Sequence, residues 1–266
     1  MSSRDTTARF FALTFMFTWC LQVPGVLARR GWLPGDPDAY LPFAMLGIFG
    51  PLVAATYLSF KAGGRDGVRA LYESLLAWRV SPKWYVYALF VPAVLLSTIL
   101  GLMNLAGRQG DWYFLPAVPQ IVSMLVISVA EETGWRGYAF PRLAAKYGAF
   151  VGSVILGVCW TVWHIPMFLA VNVSMSLLPV MLLLFVGGSL FYAWLYRGSG
   201  GSLLIAVLAH AGAHLNNSHR ALPDDALPAV AHAVVYAALG VIAMRRTAFE
   251  RPGSIATPTG RERVAE

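Results

Sequence analysis

Glu131 and Glu132 stand side by side in "SVAEETGWRGYAF", at the end of an apolar run, with Arg136 just beyond. His164 lies in a second apolar run, "CWTVWHIPMF", and His210 and His214 in a third, "LAHAGAHLNNS", with Asn217 one turn on. Acids and histidines at such places cost at least a few kcal/mol each and mark function. Their chemistry would be proton transfer to and from water, donation to a developing negative charge, or metal ligation.

Helical spacing divides the work. Glu132 and Arg136 are four apart, share a helix face and can pair. Glu131 is turned by about 100° and points elsewhere. Glu132 with Arg136 therefore reads as support, and Glu131 as a carboxyl free to act as a general base. His210, His214 and Asn217 can line one face of their helix. Trp160 lies one turn before His164, so its ring can pack on the imidazole, and Pro166 cannot continue the backbone ladder beside it.

These groups need membrane-length helices to hold them. Of 266 residues 58% are hydrophobic and 12% charged, against roughly 25% charged in a soluble domain. The charges cluster between long apolar stretches, as in an all-α polytopic membrane protein. Eight spans are expected, near 9–28, 40–60, 83–106, 117–140, 149–170, 177–196, 202–218 and 227–244. The fourth and seventh carry polar groups, so hydropathy alone would shorten or miss them. Residues 1–244 form one transmembrane helical domain, with the motif-bearing core at about 70–218. Residues 245–266 read as a polar, disordered cytoplasmic tail. No internal repeat is visible.

With the N-terminus inside, sixteen of the 20 basic residues fall on the cytoplasmic side and four opposite. That bias predicts cytoplasmic N- and C-termini in a bacterial-type cell membrane. It also accounts for the net charge of +7 without a nucleic-acid partner. In "RDGVRALYESLLAWRVSPKWY", Leu71, Leu75 and Trp78 share one face and predict an amphipathic helix at the interface. Measured from the cytoplasmic ends, Glu131, His164 and His210 lie roughly 14, 22 and 12 Å deep, near enough to meet. Cys20 and Cys159 sit in no metal or redox spacing.

"EETGWRGYAFPRL" resembles the E-E-x-x-x-R motif of the CPBP family of intramembrane proteases, which includes type II CAAX prenyl endopeptidases and bacteriocin-processing or self-immunity (Abi-like) proteins. "WTVWH" stands where the family has F-x-x-x-H, with Trp160 in place of Phe. "HAGAH" stands where it has H-x-x-x-N or H-x-x-x-D. The resemblance implies a bundle of about eight helices around a membrane-embedded polar site. It implies an endopeptidase that hydrolyses a peptide bond with a Glu131-activated water, with His164 beside it and His210 and the residue four later as oxyanion donors. The site would open to the cytoplasm. The substrate would be a peptide or protein, a prenylated one being one option, met among membrane lipids. His214 departs from the family's Asn or Asp. It can still donate to an oxyanion, but Glu131, His164, His210 and His214 also form a ligand set for a divalent metal such as zinc. Metalloprotease and metal-free glutamate protease thus both stand open. So do two non-enzymatic alternatives, a proton or ion relay and an immunity or scaffold protein with a vestigial site.

Overall fold

A computed structural model describes residues 3–108, 117–171, 173–215 and 226–248. Among the described residues all regular structure is helical. The long helices are α1 (Ser3–Arg29), α3 (Gly50–Glu73), α4 (Pro82–Leu105), α5 (Val118–Gly134), α7 (Ala149–Trp163), α9 (Leu178–Gly198), α10 (Leu203–Leu215) and α11 (Ala226–Ala248). Short helices α2 (Leu41–Gly47), α6 (Phe140–Tyr147) and α8 (Ile165–Ala170) connect them. Helices satisfy their own backbone, as a hydrocarbon surround demands. Proline marks the starts: α2, α3, α4, α5, α6, α8 and α9 each carry one in the first turn, where the missing N–H costs nothing.

Among the described residues six helical segments are long and apolar enough to cross a membrane: Thr6–Arg29, Pro37–Leu76, Pro82–Leu105, Ala149–Ala170, Met175–Gly198 and Ala226–Arg245. The two expected spans that fall short are the fourth and seventh, α5 and α10. They are the two that carry the acids and the paired histidines, and α10 is described over 13 residues, up to Leu215. The expected amphipathic helix is the last part of α3, beyond a kink at Gly63 and Gly64, where Gly64 has φ +58°. Leu71 is buried and Leu75 half-buried, but the helical stretch ends at Leu76. Trp78 falls beyond it and is exposed, so the third member of the predicted face is lost. At the C-terminus α11 runs on to Ala248, beyond the expected boundary at Met244. The rest of the expected tail lies outside the described residues.

Small residues set the spacing of the bundle. A Cβ on Gly134 of α5 would come within 2.6 Å of the Pro51 carbonyl oxygen on α3. A Cβ on Gly187 of α9 would come within 2.7 Å of Ala237 Cα on α11. With no hydrophobic force between helices in lipid, such close approach supplies the packing. Helix α1 clamps the motif helices from outside. Phe10 stacks on Tyr138 with centroids 5.2 Å apart, and Thr18 Oγ1 accepts Trp163 Nε1 at 2.8 Å while donating to the Gly47 carbonyl at 2.7 Å.

Candidate active site

The site begins at the C-terminal end of α5. Glu131 and Glu132 are buried there, and the helix passes into a single π turn, Trp135–Ala139. Single π turns inside helices recur at functional sites. Arg136 sits in this turn with no exposed surface. Its Nη1 donates to Glu132 Oε1 at 2.8 Å, the pairing the spacing predicted. Its guanidinium lies 4.9 Å from the Trp160 ring centroid and 5.0 Å from that of Tyr192, so the cation is held between two aromatic faces.

Glu132 does more than pair with Arg136. Its Oε1 also accepts from His210 Nδ1 at 2.8 Å, a contact from α5 to α10. Glu131 takes a different environment. Its Oε2 accepts Trp160 Nε1 at 2.7 Å and Trp135 Nε1 at 3.4 Å. Both indoles use the same oxygen, and Oε1 takes neither.

His164 stands at the break between α7 and α8, just before Pro166. Its Nδ1 lies 2.8 Å from the Trp160 carbonyl oxygen. A carbonyl only accepts, so Nδ1 carries the proton and Nε2 presents a lone pair. The same reasoning applies to His210, whose Nδ1 meets a carboxylate held by an arginine. The expected ring packing of Trp160 on His164 is present, edge-on at 5.8 Å, and Trp160 meets His210 in the same manner at 5.1 Å. His214 stacks on His210, with centroids 4.8 Å and planes 19° apart.

Glu131, His210 and His214 each bring a ligand atom to within 4.8 Å of the others. The four-residue metal set expected from the sequence thus closes to three among the described residues. His164, on the separate turn after α7, is the member left out. The bond from His210 Nδ1 to Glu132 is the outer-shell arrangement that metal-bound histidines use. Asn217, the remaining supporting residue, lies outside the described residues.

A cavity of about 430 Å³ opens from this cluster. His164, His210 and His214 line it, together with His232 and Tyr236 of α11. Leu184, Phe185 and Met181 form an apolar wall. Sequence reasoning missed four of these participants, Trp135, Tyr192, His232 and Tyr236, and one contact. Trp135 is four residues from Glu131, so helical spacing could have found it. His232 is a histidine inside an expected span and falls under the rule that singled out the others. Tyr192 and the Glu132–His210 contact carried no signal in spacing.

The sequence profile of the Rce1-like type II CAAX prenyl endopeptidases matches residues 112–216. That stretch holds both acids, Arg136, His164, His210 and His214. Among curated proteins, CAAX prenyl protease 2 of Methanococcus maripaludis is 25% identical over 244 residues, covering 81% of this chain and 85% of that one. An NADH-quinone oxidoreductase component of Rhodospirillum rubrum is 32% identical over 126 residues, covering 44% of this chain and 34% of that one. A helical polytopic membrane protein with this motif core is a membrane protease, a hydrolase. Over this core the chain is similar to the CAAX-type proteases of the CPBP family.

Proposed function

We propose that the protein cleaves a peptide bond inside the membrane with a water activated by Glu131, in a site open to the cytoplasmic side. The observation that carries this reading is the asymmetry of the Glu131 carboxylate. Oε2 is held by two indole N–H groups, and Oε1 is left to take a proton. Water bound between Oε1 and the His164 Nε2 lone pair gives up its proton to Glu131 as its oxygen attacks the carbonyl carbon. The same proton then passes to the leaving nitrogen, and Glu131 is regenerated. Negative charge on the carbonyl oxygen needs donors. His214 carries an N–H in either neutral tautomer; His210 can donate from Nε2 only by taking a second proton.

The substrate is a peptide or protein segment reached from the cytoplasmic face, where the basic residues gather and both termini lie. The name of the Methanococcus relative and the apolar cavity wall both favour a prenylated C-terminal peptide. They also favour an enzyme over an ion relay or a vestigial site. The test is cleavage of a quenched prenylated peptide by reconstituted protein. Glu131→Gln should lower the rate by about 10²–10⁴-fold, the range of a general base. Unchanged cleavage by that variant would sink the proposal.

A second reading rests on the three ligand atoms within 4.8 Å. Glu131, His210 through Nε2, and His214 would hold a divalent ion such as zinc, with Glu132 orienting His210. Such an ion, when bound, lowers the pKa of its water and polarises a carbonyl. Glu131 would then be a ligand and not the free base. Metal content decides between the two. Stoichiometric zinc in the wild type, lost together with activity in His214→Asn, establishes the metalloenzyme. Full activity in chelator, retained by His214→Asn, establishes the metal-free site.

A further inference from the structure

Among the described residues, the part of the cavity lined by α11 is polar at one place. In the apolar part of α11, "ALPAVAHAVVYAALGVIAM", His232 and Tyr236 are the only side chains with polar ring or hydroxyl groups. They are four apart, share the face that lines the cavity, and are 5% and 2% exposed. Their rings lie 4.9 Å apart. Tyr236 neighbours Tyr192 of α9, which in turn stacks on His210 with centroids 5.5 Å apart. A row of polar rings therefore runs from the acid–histidine cluster to α11.

Neither the acid nor the metal chemistry uses this wall. The Tyr236 hydroxyl is buried with the Tyr192 side chain beside it, the contact between them falls short of a regular hydrogen bond, and no other partner reaches it among the described residues. A buried hydroxyl left in this state carries a desolvation penalty that a ligand in the cavity would remove. The described residues lining the cavity include no Lys or Arg. An ionised ligand group would meet no countercharge there, whereas a neutral acceptor oxygen suits a hydroxyl donor.

We propose that Tyr236, oriented by His232, binds a backbone carbonyl of the substrate peptide and so fixes its register across the cavity. This rests on the peptide-hydrolysis reading and assigns α11 a part in the site outside the motifs of α5, α7 and α10. An acceptor oxygen could also come from a free C-terminal carboxylate. The two sources differ in their response to amidation of the peptide.

The experiment measures binding of a fluorescent prenylated peptide, as C-terminal acid and as C-terminal amide, to Glu131→Gln and to Glu131→Gln/Tyr236→Phe in proteoliposomes. Phenylalanine keeps the ring and removes only the hydroxyl. Tyr236→Phe should weaken both peptides about tenfold, the size of one hydrogen bond. His232→Leu should weaken them in the same direction. A Tyr236 effect confined to the acid peptide overturns the carbonyl assignment in favour of the carboxylate. Equal affinities of the two proteins, or no binding to either, overturn the proposal outright. If the peptide binds with the Tyr236 dependence but wild type never cleaves it, the hydrolase reading fails and the binding assignment stands.

Discussion

Removing Glu132 and Arg136 singly and together tests the buried pair that organises the site. Both side chains have no exposed surface and meet at 2.8 Å. Two unit charges about 4 Å apart attract by about 4 kcal/mol at an effective dielectric constant near 20. Glu132→Leu strands the guanidinium, and Arg136→Met strands the carboxylate. Each should cost about 3–5 kcal/mol, the usual result of breaking a buried pair from one side. The double variant strands neither charge. It leaves only His210 Nδ1 without its acceptor, at about 1–3 kcal/mol. The double should therefore be more stable than either single variant. Reversible unfolding in mixed detergent micelles, followed by fluorescence of the 9 tryptophans, reads all four proteins. Peptide cleavage by the double variant should remain at least about 100-fold down, because nothing then holds His210 in its tautomer. Additive losses in the two singles would refute the charge pair. A stable double variant with full activity would refute the role given to Glu132.

Two further outcomes test the scaffold. Gly134→Ala puts a methyl group against the Pro51 carbonyl and should cost about 1–3 kcal/mol in the same unfolding assay, through forced separation of α3 and α5. Trp163→Phe deletes the 2.8 Å bond to Thr18 and should cost at least about 1 kcal/mol, and it should also slow cleavage, since the same indole packs edge-on against His164 at 4.6 Å.

The local part of the site was legible in the sequence and the interhelical part was not. Four-residue spacing gave the Glu132–Arg136 pair, the separate direction of Glu131, and the meeting of Trp160 with His164. It could not give the bond from Glu132 to His210, because two residues 78 apart are related only by how α5 and α10 are rotated against each other. For the same reason Trp160 was legible as a ring beside His164 but not as the donor to Glu131. Trp135 was within reach of the spacing rule, and His232 within reach of the rule for polar groups in spans. The expected fourth span carries Glu131, Glu132 and Arg136, and α5 is not among the segments both long and apolar enough to cross, whereas α10 is an apolar helix over its 13 described residues.

The π turn at Trp135–Ala139 bears on how this gene can change length. A π turn holds one residue more than the α-helical turn it replaces. Deleting Gly137 would let the helix close as regular α, with the side chains before and after it keeping their relative phase. Phe140 and Leu143 would stay in the core, and Glu131 and Glu132 would keep their places. The same deletion in the regular α-helical part of α5 would turn every later side chain by about 100°. A single codon lost in the π turn is therefore absorbed, whereas one lost in the regular helix sets the acids and the helix that follows them out of phase.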